Sequence, residues 1–349
     1  MKEIRIGTRT LGQGHPCWIV AEIGSNHNRD LATAKKMIDA SAEAGLDAVK
    51  FQFYTPEGII PHYITPKDYG WSAYREPFAL EVFKRYIATP YEWFPELSEY
   101  AVSKGLMAFA AVHDDEWARR SIKLGFPVLK TASMEITNLP LIETLAKFKM
   151  PLIISTGLAH IEDIARAVEM ARKAGNEQVL LLHCMANYPS RVEEFNLRQI
   201  TTMRETFDLP VGFSDHSLGN LASVLSITQG ACMIEKHLTL SRKQQGPDHP
   251  FAMEPQEFAE LVRNVRAAEA ALGSGSLLIR RADEEKRTLA LRSVVAARNL
   301  RRGQTLTAED LTTKRPGSGI PPRELGALVG RTVRRDMAAD DLIVWNDIG

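Results

Sequence analysis

Short, almost uninterrupted apolar runs recur along the first 270 residues, alternating with stretches of helical period. The runs are CWIVAEIG (17–24), DAVKFQF (47–53), LMAFAAV (106–112), PVLKTASME (127–135), PLIISTG (151–157), VLLLHC (179–184), PVGFSDH (210–216) and CMIEKHLTL (232–240). Amphipathic segments such as LATAKKMIDASAEAG, IEDIARAVEMARKAG and PQEFAELVRNVRAAEAALG lie between or after them. Apolar runs of strand length separated by helices predict parallel strands buried on both faces. Eight such units predict an α/β fold, a closed (β/α)8 TIM barrel over residues 1–272. An open doubly wound sheet would carry a glycine-rich phosphate fingerprint after an early strand, and no GxGxxG occurs.

Two stretches depart from that rhythm. Residues 54–90, rich in Pro, Tyr and Trp, form a long excursion after the second run, and loops of this length commonly act as lids or binding loops. After residue 272 the texture changes: GSGSLL and RRADEEKR, over 273–292, read as a linker or connecting helix. Residues 293–349 show short β-like runs, glycine turns and one-turn helices, which predict a small, β-rich C-terminal domain. So short a unit is marginal alone, and it is expected to dock on something.

Composition narrows the partners. With 43 basic and 43 acidic side chains the formal net charge is zero, so there is no electrostatic footprint for nucleic acid. No run of 18 apolar residues suggests a membrane span, and the first residues lack the apolar core of a signal peptide. A soluble cytoplasmic protein is the expectation. Cys17, Cys184 and Cys232 are few, widely spaced and set in apolar runs, which reads as buried thiols in a reducing compartment.

Chemistry-bearing residues cluster at the C-terminal ends of the runs, where barrels of this class keep their active sites. The first run ends at Glu22, followed by Ser25, Asn26, His27 and Asn28; the second carries Lys50 and Gln52. Lys130, Ser133 and Glu135 end the fourth, and Ser155 and Thr156 the fifth. His183, Asn187 and Tyr188 follow from the sixth, Ser214 and His216 from the seventh, Glu235 and His237 from the eighth. The pairs Lys50/Gln52, Ser133/Glu135, Ser214/His216 and Glu235/His237 are each spaced by two, which predicts one shared strand face toward the barrel axis. Asp215 then faces the other way, in a structural role. His216 and His237, on neighbouring strands, would supply two imidazoles to a divalent metal, with Glu22 and Asp248 nearest for further ligation or for substrate. Lys50 and Lys130 suit an anion clamp, a Schiff-base nucleophile or a plain salt bridge; the hydroxyls of Ser133, Ser155 and Ser214 favour phosphate.

Taken in order, AEIGSNHN, AVKFQFYTPE, LKTASMEITNLPLIE, ISTG, LLHC with NYPS, GFSDHSLG, IEKHLTL, GPDH and KRPGSGI resemble the sialic acid synthase family, the phosphoenolpyruvate-dependent nonulosonate synthases. The resemblance spans essentially the whole chain, and residues 293–349 resemble its C-terminal antifreeze-like (SAF) domain. It implies a transferase that condenses phosphoenolpyruvate with an open-chain N-acetylated hexosamine to give a nine-carbon 3-deoxy-2-keto acid and inorganic phosphate. The acceptor would be N-acetylmannosamine or a 6-deoxy diacetamido hexose; TPYEW and GPDHPFAMEP are closer to the deoxy-sugar branch. His216 and His237 match the family's metal ligands, usually for manganese, with magnesium or cobalt as alternatives. Glu22 matches the acidic residue near metal and sugar; Lys50, Lys130, Ser133, Ser155 and Ser214 match phosphoenolpyruvate contacts, with Asn187 a further substrate-binding residue. Gln52, Tyr188 and Asp248 match sugar contacts, and Glu135 and Glu235 the proton handlers. Arg315 in KRPGSG matches an arginine that enters the barrel mouth of the other copy in a domain-swapped homodimer.

Several positions depart from the family pattern. Ala110 and Ala111 stand where a Ser-Thr-Pro run is common, Met134 where glycine is usual, and Ala186 at an asparagine position, with Asn187 one place along. NHNR replaces NHNG, which puts Arg29 in the first loop. Arg29 and His113 are the nearby candidates to take over lost phosphate contacts. The departures also keep open a degenerate, sugar-binding barrel, and Lys130 keeps open a Schiff-base aldolase.

Overall fold

The computed structural model describes residues 3–69, 71 and 74–349, and each of the eight apolar runs supplies one strand. Ahead of them, β1 (Ile4–Ile6) and β2 (Arg9–Leu11) pair antiparallel. The barrel strands are β3 (Trp18–Glu22), β4 (Ala48–Phe53), β5 (Met107–Val112), β6 (Leu129–Thr131), β7 (Leu152–Ser155), β8 (Val179–Cys184), β9 (Val211–Asp215) and β10 (Met233–His237). All neighbours are parallel, and β10 closes on β3. The fourth run is the one that departs from expectation. Its strand ends at Thr131, and Ser133–Glu135 form a 3-10 turn, so that pair does not share a strand face.

Sequence alternation explains how the barrel separates its two sides. In AVKFQF, Phe51 and Phe53 pack on Phe94, with Trp117 and Phe126 beside Phe53, outside the sheet. Lys50 and Gln52, on the alternate positions, take the other face. Helices start where a side chain satisfies their free N–H groups. Asp30 accepts from Ala32 and Thr33 ahead of Leu31–Glu43, Asp114 from Trp117 ahead of Asp115–Lys123, and Asn138 from Leu141 ahead of Leu139–Lys147. The β1–β2 hairpin joins the barrel core through Ile4, Ile6 and Leu11. Arg9 pairs with Asp47 at 2.8 Å just before β4, on the end of the barrel opposite the polar residues.

The excursion after β4 builds a small core of its own from Tyr54, Ile60, Ala79, Val82, Phe83, Ile87 and Ala88. Its return end is tied to the first strand-to-helix loop. His27 Nε2 donates to Thr89 Oγ1 at 2.7 Å, while its Nδ1 accepts from the Arg29 N–H at 3.0 Å. The Arg29 guanidinium donates to the carbonyls of Lys84 and Ala88.

The chain divides into two compact units after Gly273. The second begins with a helix, Arg281–Ala290, none of whose residues is buried. Beyond it, β11 (Ser293–Ala296) pairs antiparallel with β12 (Leu311–Lys314) around a core that includes Val294, Leu306, Ile320, Val333 and Ile343. Arg298 meets the buried carboxylate of Asp310 at 2.6 Å. No helix among the described residues is long and apolar enough to cross a membrane.

Two outcomes are expected. A Cβ at Gly212 in β9 would sit 2.6 Å from Leu182 Cδ2 and 2.8 Å from the Met233 Cβ and carbonyl. Gly212→Ala should therefore cost about 1–3 kcal/mol in chemical denaturation, the usual penalty for overpacking. Burial, with Arg29 nearby, pushes His27 from 6.5 down to about 4. The unfolded chain then takes up a proton that the folded one refuses, so stability falls as pH drops from 6.5 toward 4. The loss attributable to this ring approaches about 3 kcal/mol, and His27→Gln should flatten the pH dependence of the urea midpoint across that window. An unchanged slope would exclude His27 as its source.

Candidate active site

The barrel order places β6 and β10 opposite one another, four strands apart in a ring of eight. Lys130 on β6 nevertheless reaches Glu235 on β10, Nζ to Oε1, at 3.6 Å. Only inward-pointing side chains can meet across the axis, so this contact fixes which face of every strand looks inward. Lys50 lies 3.4 Å from the same Glu235 oxygen and forms a tight ion pair with Glu22. Gln52 donates to Glu22 Oε1 at 2.9 Å, Ser214 to Glu235 Oε1 at 3.4 Å, and Lys130 to Ser155 Oγ at 3.1 Å. The four ionic side chains are all buried.

Burial and charge divide these groups. Burial raises Glu22 above the usual carboxylate range, although Lys50 pulls the other way. Burial also acts on Glu235, but Lys130 and Lys50 outweigh it and hold that carboxyl below its ordinary value. The Lys130 ammonium is lowered by burial. Lys50 is desolvated too, yet Glu22 and Glu235 raise it. Among the described residues Glu235 Oε2 is buried without a hydrogen-bond partner, which leaves one carboxylate oxygen for a ligand.

Above this layer stand the two histidines, their ring centroids 5.4 Å apart. His216 Nδ1 donates to the Met185 carbonyl at 2.8 Å; burial lowers the ring, but its contact with Cys184 outweighs that and raises it above the ordinary imidazole value. His237 Nδ1 is buried without a hydrogen-bond partner among the described residues, 3.6 Å from Asp248 Oδ2. Burial, with His216 and the lysines adding to it, lowers His237 well below the usual imidazole range and keeps the ring neutral. Asp215 faces away from the axis, as its register requires. It accepts from the Ser217 N–H at 2.8 Å, Ser217 Oγ at 2.7 Å and Ser223 Oγ at 2.5 Å, and pairs with Lys236 at 3.0 Å. Lys236 in turn donates to the Ser217 carbonyl at 2.6 Å. This buried knot fixes the turn that carries His216.

A cavity of 1510 Å³ opens over these groups. Lys50, Gln52, Lys130, Ser133, Ser155, Asn187, Tyr188, Ser214, His216, Glu235, His237 and Asp248 line it. Ser133 Oγ accepts from the Gly157 N–H at 3.2 Å, and the approach is so close that a Cβ at Gly157 would lie 2.7 Å from that oxygen. Asp248 accepts from Ser25 at 3.2 Å and is raised to about 6 by burial and by the Glu22 charge. Asn187 donates to Glu194 at 3.4 Å, and Tyr188 packs 4.3 Å from the His216 ring. Glu22 sits beneath the lining. Glu135 is held outside it by His113 and Asn138. Arg315 is exposed in the second unit.

Other lining residues carry no sequence signal that singles them out. Cys184 lines the cavity, unlike Cys17 and Cys232, and the excursion contributes Tyr54, Tyr69, Trp71, Tyr74, Phe83 and Tyr86. Their aromatic density marked the excursion as a whole, not its individual side chains. Arg29 does not reach the cavity, because its guanidinium is spent on backbone carbonyls of the excursion.

Among the described residues no three His, Cys, Asp or Glu side chains converge as a metal cage. The donor set fits an open site instead: two imidazoles, one of them with an orphaned buried nitrogen, and Asp248 alongside. Substrate and water would complete the shell of a cation held there.

Comparisons with known proteins agree with this architecture. The NeuB family profile matches residues 37–277, and the SAF domain profile residues 292–349. The chain is 39% identical to an uncharacterised protein of Methanocaldococcus jannaschii, over 100% of this chain and 99% of the relative. It is 36% identical to N,N′-diacetyllegionaminic acid synthase of Legionella pneumophila, over 98% of this chain and 97% of that protein. The solved structure of N-acetylneuraminic acid (sialic acid) synthetase from Leptospira borgpetersenii, in complex with citrate, superposes with a TM-score of 0.72 at 32% identity, over 82% of this chain and 95% of that one. A profile that matches most of the barrel, and relatives aligned from end to end, lead to one conclusion: the chain belongs to the NeuB family and ends in a SAF domain.

Proposed function

We propose that this protein is a cytoplasmic nonulosonate synthase, a transferase that joins phosphoenolpyruvate to an open-chain N-acetylated hexosamine and releases phosphate. The observation that carries this reading is the cavity floor. Two lysine ammoniums line it, Lys130 balanced only by Glu235 at 3.6 Å, beside a carboxylate oxygen and an imidazole nitrogen that are buried without hydrogen-bond partners among the described residues. The relative named as a diacetyllegionaminic acid synthase supports a 6-deoxy diacetamido hexose as acceptor, ahead of N-acetylmannosamine.

In this reading Lys50 and Lys130, with the hydroxyls of Ser133, Ser155 and Ser214, hold the carboxylate and phosphoryl groups of phosphoenolpyruvate. Asn187 lies beside them on the cavity wall. Gln52, Tyr188 and Asp248 orient the sugar, and Glu22 fixes both Lys50 and Gln52. His216 and His237 would hold a divalent cation, manganese before magnesium or cobalt, which when bound supplies Lewis-acid polarisation of the sugar aldehyde. The methylene carbon of phosphoenolpyruvate bonds to the aldehyde carbon as the C=O electron pair moves onto oxygen, which takes up a proton to become a hydroxyl, and water adds at C2 with loss of a proton. The C2–O bond to phosphate then breaks with its electron pair leaving on phosphate, and loss of the C2 hydroxyl proton gives the ketone. Glu235, through Oε2, is placed to take a proton from the water, and Glu135 is the further carboxylate beside the site. A homodimer in which the partner subunit's Arg315 completes the mouth belongs to this proposal and rests on the KRPGSG motif.

A barrel aldolase is the second reading, favoured by the lowered amine of buried Lys130. A phosphate-release assay with phosphoenolpyruvate, manganese and a panel of N-acetylated hexoses separates the two. Acceptor-dependent phosphate release, abolished by EDTA and restored by manganese, is expected, with His216→Ala slower by at least about 100-fold. Full activity and metal affinity in that variant would refute the metal assignment. Borohydride trapping of a carbonyl substrate on Lys130 would favour the aldolase.

A further inference from the structure

The strand register puts Ala111 of β5 level with Gln52 of β4 on one side and Lys130 of β6 on the other. A methyl group between those two polar side chains leaves room beside the anion-binding lysine. His113, two residues further along, faces the same cavity. Its Nδ1 meets Glu135 Oε1 at 3.0 Å, and Glu135 Oε2 accepts from Asn138 Nδ2 at 2.9 Å. Asn138 is itself fixed as the cap of the following helix, accepting from the Leu141 N–H. Tyr54 stands edge-on to the ring at 5.7 Å. A capped helix therefore locks an amide, the amide locks a carboxylate, and the carboxylate locks an imidazole whose Nε2 has no hydrogen-bond partner among the described residues.

We propose that His113, oriented by Glu135, hydrogen-bonds the phosphoryl group of phosphoenolpyruvate and then the phosphate product, in the space that Ala111 opens beside Lys130. The inference rests on the reading of this cavity as a phosphoenolpyruvate site. The Glu135 carboxylate at Nδ1 and a phosphoryl oxygen at Nε2 would each take one N–H of the ring, two charge-assisted contacts on opposite sides of it. Ser133 opens the same 3-10 turn that carries Glu135, so the imidazole borders the hydroxyl and ammonium side of the cavity. Glu135 acts here through His113 and is a positioning residue.

The test is calorimetric titration of the full-length protein with phosphoenolpyruvate and, separately, with inorganic phosphate, in the absence of acceptor. His113→Phe keeps the ring volume and is expected to weaken both by about 10-fold or more, the loss typical of a charge-assisted hydrogen bond. In turnover, KM for phosphoenolpyruvate should rise in step while KM for the sugar stays within about twofold. Glu135→Gln should raise the same KM by less, because the ring keeps an acceptor but loses the charge behind it. If Phe at this position prevents folding, His113→Gln carries the test, with a smaller loss expected. Wild-type affinity for phosphoenolpyruvate in the His113 variants would overturn this inference alone. Absence of any phosphoenolpyruvate binding by the wild-type protein would overturn the functional reading and this inference with it.

Discussion

The contact between Lys130 and Glu235 across the barrel axis is the constraint on which the rest of the site depends. Taking a charge out of water costs several kcal/mol, and four charges are buried here, each within 3.6 Å of an opposite one. They persist because two ammoniums and two carboxylates cancel, and because Gln52, Ser155 and Ser214 satisfy much of what remains. The cancellation is nonetheless uneven. Lys50 has two carboxylates close by, whereas Lys130 has one, at longer range. The lysine with the weaker partner is the one better able to exchange it for an anionic ligand.

This layer also divides the labour of the barrel. Below it, apolar side chains and the β1–β2 hairpin close one end. Above it, polar strand-end groups and the aromatic side chains of the excursion line the cavity. The histidine pair is held from behind by a second, independent ion pair, Asp215 with Lys236, on the outer side of the same strands. Glu235 is ion-paired on the inner face of β10, and Asp215 and Lys236 are paired across the outer faces of β9 and β10, so the strand ends that carry the histidines are pinned on both sides. An imidazole carried there is positioned by packing, with little freedom left to the loop.

Much of this was legible in the sequence because parity along a strand is local information. The eight runs gave eight strands, and spacing by two placed Lys50 with Gln52, and Glu235 with His237, on the inner face while turning Asp215 outward. Parity failed at Ser133 and Glu135, where the strand had already ended and a 3-10 turn has its own period. Partners distant in the chain were not legible at all. Nothing near Arg29 announces the carbonyls of Lys84 and Ala88, and nothing near His113 announces Glu135. The aromatic wall was visible as composition only, since its rings are brought together by a fold of the excursion that no short window contains.

That excursion has its own hydrophobic cluster, separate from the core of the barrel. Side chains in unconnected clusters contribute to stability nearly independently. The aromatic wall can therefore be rewritten by mutation without drawing on the free energy that holds the charged floor in place. Variation in this wall can change what the cavity admits while the buried charges of its floor stay as they are.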